Sequence, residues 1–402
     1  MDGRSKAPGK VIIVGAGITG CAIAWHLARL GHTDVTVLDR GTLGAPLGST
    51  GHAPGLLGRN AASPVMAALA DYTAEFLMRL PGAVFNKVGS VEVARKAETA
   101  DLLERKAATA RGYGFEAHVV GPGELAGLVP YMDVSGLKRG LYLPGDGTLD
   151  ARAALRGLHE GARDAGVTFR ENVAVRDVLV REGRVVGVVT DDGEIVGDKV
   201  VIAVGIWGAE LLKRHGIALP LFPVQHPYFT TAPLAVLDGA PAPSRHPMVR
   251  DLENVFYLRE HGDRLGFGWY SHAPAPAEVA ALIEAEMAFP AHGFHEGLSH
   301  DLFPVLAGAP IERKLNGIFS MTPDGGPLLG PVPGEPHLWV AEAVWVTHSG
   351  GVGRAVAEAL LGLEPTIDVG AFAPDRFAAM PEDVCRARSL SLYNDIYAWP
   401  AP

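Results

Sequence analysis

The sequence predicts an α/β protein in which a parallel sheet carries an antiparallel β-meander, beside a second, α+β unit of largely antiparallel sheet. Three observations carry that expectation. Residues 10–14, KVIIV, form a short β-branched apolar run, the pattern of a strand buried on both faces. They lead through a glycine-rich turn into a helical apolar pattern that stops at Gly31, and then into DVTVLD, residues 34–39. Strand, helix and strand with connections this short make a parallel pair with a right-handed crossover. Residues 166–204 hold further strand-like runs, two of them meeting at Asp192-Gly193, a hairpin signal. Residues 219–316 are rich in Pro and His, with strands expected near 224–231, 254–260 and 265–271, and read as a separate layer.

The remaining elements follow in order. Gly and Pro punctuate residues 41–60 every few positions, which excludes an element interior and marks a long functional loop. Helical periodicity over 64–80 stops at Pro81-Gly82, and 151–165 reads as another helix. Residues 98–112 read as an exposed amphipathic helix whose charge run is a solvated face. The chain returns to strand over 338–346, then passes a glycine cluster into a helix over 352–363. The expected division is one discontinuous unit of residues 1–86, 147–218 and 317–402, and a second of 87–146 and 219–316.

Composition narrows the function classes. The 402 residues are 48% apolar and 20% charged, enough for a large core with little room for disorder. A net charge of −10 opposes the counterion displacement that nucleic-acid binding needs, so no nucleic-acid partner is expected. Cys21 and Cys385 form no CxxC, which excludes a disulfide framework or thiolate zinc site and suits a reducing cytoplasm. No apolar run reaches the ~18 residues of a membrane span. Residues 11–25 could pass for a signal peptide, with Ile18-Thr19-Gly20-Cys21 as a lipoprotein-like box. That reading fails because the periodicity continues through Leu27, Ala28 and Leu30 and turns at Gly31 into a second strand. His292, His295 and His300 suggest a metal hydrolase, but His295-Glu296-x-x-x-His300 is one residue longer than HExxH. Five helical steps put the two histidines about 140° apart. Gly293 and Gly297 also oppose a helix there, and no metal is expected.

Gly15-Ala16-Gly17-Ile18-Thr19-Gly20 is a weak signal alone and a strong one in context. It follows a buried strand, opens a helix, and is followed 19 residues beyond its last glycine by Asp39 at a strand end. Gly15 permits the tight turn, Gly17 lets a pyrophosphate approach the backbone, and Gly20 allows close helix–strand packing. The helix N-terminus at Ile18 and Thr19 presents unpaired N–H groups to the anion, and Asp39 can accept both hydroxyls of an adenosine ribose. FAD and NAD share this fingerprint. The distant glycine-punctuated segments 200–208 and 347–353 imply one long ligand touched from several places. A helix opening at Gly350–Gly353 would aim its positive end at the N1–C2=O edge of a reduced flavin, so FAD is the expected cofactor.

Several motifs together are similar to a known family. Beside GAGITG these are STGHAPG (49–55), YLREHGD (257–263), TPDGGPLLG (322–330) and AEAVWVTHS (341–349). They resemble the flavin half of the dimethylglycine oxidase, dimethylglycine dehydrogenase and sarcosine dehydrogenase group within the D-amino-acid-oxidase-like fold. The resemblance runs from about Lys10 to the C-terminus. It implies that His52 bonds covalently to the flavin 8α-methyl group, although Gly51 departs from the bulkier residue usual there. It further implies Asp39 and Arg40 at the adenosine end and Ser49, Thr50 and Leu56 in the loop over pyrophosphate and ring. Val175 would meet adenine through its backbone, and Thr347, His348, Ser349, Gly350 and Gly351 would pass the polar edge of the ring. The implied catalytic pair is His226 and Tyr257, with Pro227 a departure from the usual polar residue.

The expected reaction is oxidation of a small secondary or tertiary amine, an N-methylated glycine derivative, by hydride transfer to flavin N5. The imine then hydrolyses to an aldehyde. The nitrogen must be neutral to react, so His226 would position the amine or accept its proton while Tyr257 orients the substrate. Arg250 and Arg259 are candidate carboxylate clamps, set aside because strand-end arginines are more often surface residues. The chain stops where dimethylglycine oxidases continue into a tetrahydrofolate-binding domain, so a separate folate-binding partner is a further expectation. Oxygen and a carrier protein both stay open as electron acceptor. So do the rival readings: a flavin or electron-transfer subunit of a larger complex, or an oxidase of another small amino acid.

Overall fold

A computed structural model describes residues 8–44, 48–82, 84–239, 244–279 and 301–400. His292, His295 and His300 lie outside the described residues.

The Val11–Val14 and Val35–Leu38 strands are fully buried because both faces of their sheet are covered. Alternate residues of the first strand enter different cores: Val11 and Ile13 face one cluster, Ile12 and Val14 another. The six-stranded sheet runs Leu328–Val332, Glu335–Glu342, Lys199–Ile202, Val11–Val14, Val35–Leu38, Thr168–Arg170. Its pairs are parallel except for the antiparallel edge pair formed by the first two. Helices Ile18–Arg29, Pro64–Leu77, Ala151–Asp164 and Ser349–Leu360 contribute to the core on one face. On the other lies the expected meander of Val175–Arg181, Arg184–Thr190 and Gly193–Val196, with Thr190 paired to Gly193 across the hairpin.

The second layer is an eight-stranded sheet, ordered Ile311–Met321, Phe222–Thr231, Arg264–Trp269, Phe256–His261, Met248–Asp251, Ser90–Ala94, Arg139–Leu143, His118–Val120. It is antiparallel except where Met248–Asp251 runs parallel to Ser90–Ala94. Both parts of the expected fold class are therefore present.

Three local expectations need correction. The strand expected over 338–346 ends at Glu342, because Ala343 takes φ 56 and the chain turns into a 3-10 segment at Val346–His348. The strand expected near 254–260 starts at Phe256, because Val255 sits at φ 50 in the preceding turn. In the helix Ala97–Gly112, Lys106 is not on a solvated face: it is 4% exposed and ion-paired with buried Glu92 of the large sheet. No helix among the described residues is long and apolar enough to cross a membrane.

Candidate active site

A cavity of about 820 Å³ is lined by residues of both layers. It begins at the carboxyl end of the Val11–Val14 strand, where an open α/β sheet leaves a crevice. Gly15 takes φ 104, and a Cβ there would collide with the Ala203 carbonyl oxygen. A Cβ on Gly20 would collide with the Gly15 carbonyl, so Gly20 is spent on packing and does not line the cavity. At Gly17 a Cβ would meet only Thr50 Oγ1, at 3.5 Å, which leaves room for a ligand against the backbone.

Asp39 lies on the wall and accepts N–H bonds from Ala16 (2.7 Å) and Gly41 (2.7 Å). Each carboxylate oxygen keeps a further lone pair for a diol. Arg40 stacks on Trp207, 4.1 Å from the ring centre, and its buried Nη2 has no partner among the described residues. Ile18 and Thr19 line the cavity, and Ile18 N–H donates to Thr50 Oγ1 at 3.2 Å. Val175 lines it at the start of the meander. Glu342 accepts the Val204 N–H at 2.8 Å, while its second oxygen is buried without a partner among the described residues. Burial pushes that carboxyl well above its ordinary range.

Further along, Ser49–His52 forms one helical turn and places His52 in the wall, 5% exposed. A Cβ on Gly317 would lie 3.5 Å from His52 Cβ, so the strand Ile311–Met321 runs alongside His52. Ser49 donates to the Ile318 carbonyl at 3.1 Å and Thr347 to the Leu56 carbonyl at 3.3 Å, and both line the cavity with Leu56 and His348. Burial lowers His348 to about 4, so its imidazole is neutral at physiological pH.

Gly51, Ser349, Gly350 and Gly351 do not line the cavity. The Gly51 carbonyl accepts from Arg152 at 3.2 Å, and Ser349 Oγ donates to the Val346 carbonyl at 2.9 Å. Gly350 and Gly351 pack against the helix Pro64–Leu77, where Gly351 N–H donates to Thr73 Oγ1 at 3.1 Å. Their small size serves helix contact.

The far end of the cavity is built by sheet register. Glu92, Arg250, Tyr257 and Gly268 are successive partners across four strands, and Gly268 is in turn paired with Tyr228. Residues in register share a face, and all but Gly268 line the cavity. Gly268 is needed, since a Cβ there would lie 2.5 Å from the Tyr257 hydroxyl. His226 is 2% exposed, with Nε2 at 2.6 Å from Tyr257 Oη and Nδ1 at 2.7 Å from Tyr393 Oη. Burial drives its imidazole well below the ordinary value. Glu92 is ion-paired with Lys106, while Arg250 stands 3.8 Å from the other Glu92 oxygen. Arg259 is no clamp: it donates to the carbonyls of Pro54 (2.8 Å), Gly55 (2.9 Å) and Leu149 (3.1 Å), fixing the His52 loop to the sheet.

Sequence reasoning missed Glu92, Lys106, Trp207, Glu342, Trp345 and the C-terminal Tyr397 and Trp399, all of which line the cavity, and Tyr393, which meets His226 behind it. A charged residue inside an apolar strand was the one signal available, at Glu92 and Glu342. Nothing local marks the tail residues.

Layers, glycine turn and cavity define a dinucleotide-binding α/β oxidoreductase. The chain belongs to the DAO family of FAD dependent oxidoreductases, which matches residues 10–359. It is 29% identical to mitochondrial dimethylglycine dehydrogenase of Rattus norvegicus, over 98% of this chain and 48% of the relative. It is 30% identical to the formaldehyde-forming 4-methylaminobutanoate oxidase of Paenarthrobacter nicotinovorans, over 97% of this chain and 49% of the relative. The chain thus spans about half the length of these curated relatives. Among solved structures, glycine oxidase of Geobacillus kaustophilus superimposes with a TM-score of 0.76 at 27% identity, over 92% of this chain and 99% of that one.

The residues present fit FAD. The open approach at Gly17, the spare lone pairs of Asp39, and the orphaned atoms of Arg40 and Glu342 lie along one cavity.

Proposed function

We propose that this chain oxidises a small N-substituted amino acid, the N-methylated glycines foremost, at the carbon next to nitrogen. Bound in the cavity, FAD supplies the hydride acceptor. Asp39, Arg40 and Val175 would hold its adenosine end, Gly17, Ile18, Thr19, Ser49 and Thr50 its pyrophosphate, and His52, Leu56, Thr347 and His348 its ring. His52 would carry the covalent bond to the flavin. The six-stranded layer would serve the cofactor and the eight-stranded sheet the substrate.

The observation that carries the substrate class is the direct register of Arg250 with Tyr257. Lys106 already neutralises Glu92, the acid nearest to Arg250. Among the described residues Arg250 makes no contact with an acceptor closer than its 3.8 Å approach to Glu92, so its fork is available to a carboxylate. Tyr257, beside it, offers its oxygen to the substrate nitrogen. Adjacent positions of this kind suit a carboxylate and an amine separated by a short spacer. His226 acts through Tyr257, because both of its ring nitrogens are engaged by tyrosine hydroxyls. The aldehyde would leave free or pass to a separate folate-binding polypeptide in the cytoplasm.

Two measurements test this reading. Anaerobic N-methylglycine, N,N-dimethylglycine, 4-methylaminobutanoate and glycine are each added to the holoprotein, and flavin bleaching and formaldehyde are followed. Failure of all four to bleach it would overturn the activity. Separately, acid-denatured protein is filtered: flavin should stay with the polypeptide and be released from His52→Ala. Release from the parent protein would end the covalent assignment.

A further inference from the structure

The hydrogen-bond chain at Tyr257 does not end at His226. Tyr393 Oη, which lies 2.7 Å from His226 Nδ1, also lies 2.9 Å from His272 Nε2. His272 Nδ1 in turn lies 3.0 Å from the carbonyl oxygen of Ala273. The four contacts grade outward, the first two buried, the third part-buried and the last exposed.

The carbonyl fixes the direction of every hydrogen. Ala273 O can only accept, so neutral His272 carries its proton on Nδ1 and presents a bare Nε2. Tyr393 must then donate its O–H to that Nε2, leaving its oxygen to accept from His226 Nδ1–H. His226 is thereby held in the Nδ1–H tautomer with Nε2 bare, and Tyr257 donates its O–H to it. All four hydrogens point away from the cavity, and the remaining lone pair of Tyr257 is left for a substrate N–H.

Building on the amine-oxidation reading, we propose that Tyr393 and His272 extend the Tyr257–His226 pair into a relay that carries the proton of the substrate ammonium from the cavity to solvent. The ammonium N–H bond breaks and its proton joins Tyr257 Oη. The Tyr257 hydroxyl proton moves to His226 Nε2, the His226 Nδ1 proton to Tyr393 Oη, and the Tyr393 proton to His272 Nε2. The amine is left neutral with its lone pair, and His272 is left an imidazolium at the water-accessible end. No electrons change hands. When water takes the Nδ1 proton of His272, the substrate proton has been exchanged for one released to solvent, and the hydrogens of the chain point inward.

The surroundings favour conduction over storage. His226 is enclosed by Tyr257, Tyr270, Phe319 and Tyr393, with His272 the further titratable group acting on it among the described residues. Burial opposes a charge on His226, so a proton does not rest there. Tyr393 is fully buried, so this link is made by its own hydroxyl and not by solvent.

Histidine tautomers and the pH dependence of reduction test the relay separately. In protein labelled with ¹⁵N-histidine, the His226 signals, assigned by their loss in His226→Gln, should show the Nδ1–H tautomer. In Tyr393→Phe, which keeps the ring, Nδ1–H loses its acceptor and the signals should move to Nε2–H. An Nε2–H tautomer in the parent, or no change in the variant, would overturn the relay whatever the enzyme oxidises. In stopped flow with N-methylglycine, Tyr393→Phe and His272→Gln should reduce their flavin on the order of tenfold more slowly near pH 7. They should converge on the parent above the pKa of the free amine. Parent-like rates at all pH values would overturn the relay, as would an equal loss at every pH. A parent that N-methylglycine cannot reduce would sink the functional reading instead, leaving the tautomer result to stand.

Discussion

At the scale of single residues, the site works by leaving chosen groups incompletely satisfied. Arg259 spends its guanidinium on four carbonyls and has nothing left for a ligand. Arg250, with a fifth of its side chain exposed, has its nearest acid, Glu92, engaged by Lys106. A charge-assisted bond to a substrate carboxylate is worth about 1.5–3 kcal/mol, or about 10- to 150-fold in kcat/KM. Arg250→Met should therefore lose that factor with N-methylglycine while oxidising dimethylamine, which lacks the carboxylate, as the parent does. Equal losses on both substrates would show that Arg250 supports the cavity wall and does not bind the carboxylate.

At the scale of elements, glycine buys proximity between helices. The helix Ser349–Leu360 crosses Ile18–Arg29 and Pro64–Leu77 closely enough that a Cβ on Gly351 would lie 2.6 Å from the Leu69 carbonyl oxygen. One on Gly353 would lie 2.7 Å from Ala22 Cβ. These contacts are with backbone or with a methyl that cannot swing away, so overpacking must move a helix. Gly353→Ala should cost about 1–3 kcal/mol and lower the thermal midpoint of the holoprotein. Gly127→Ala, where a Cβ meets nothing within 4 Å, should leave it unchanged or raise it slightly. Indistinguishable midpoints for the two variants would contradict the close crossing. The same crossing explains why a glycine cluster read as a flavin-facing helix start is occupied mostly with packing, while only Thr347 and His348 of that stretch reach the cavity.

At the scale of the whole molecule, four histidines whose titration is lowered by desolvation make stability depend on pH. Burial lowers His26 and His348 to about 4 and His261 to about 3, and drives His226 well below its ordinary value. Unfolded, each would titrate near 6.5. Between those limits the unfolded chain binds more protons than the folded one. The stability these groups contribute is therefore complete above about pH 6.5 and falls as the pH drops toward 4, by at most ~1.4 kcal/mol per pH unit for each histidine. Thermal midpoints should stay level from pH 7.5 to about 6.5 and decline from there to pH 5. A flat profile over that range would mean that these side chains are not held neutral by burial.

The local pattern of the chain was enough to read the parallel layer. KVIIV, the glycine turn and the acid at Asp39 each encode a short-range requirement: two-sided burial, a positive φ, an acceptor at a strand end. Asp192-Gly193 likewise fixed its hairpin, because turn chemistry acts between neighbours. The sequence by itself thus determined the nucleotide-binding half and, through its motifs, the family. The tertiary structure alone decided the other end of the cavity. Glu92, Arg250 and Tyr257 meet only because three strands pair in one register, and Lys106 reaches them from a helix that local periodicity assigned to solvent. Tyr393 joins His226 across 167 positions. No local propensity records such a contact, since it is set by how the layers pack and not by what each segment does alone.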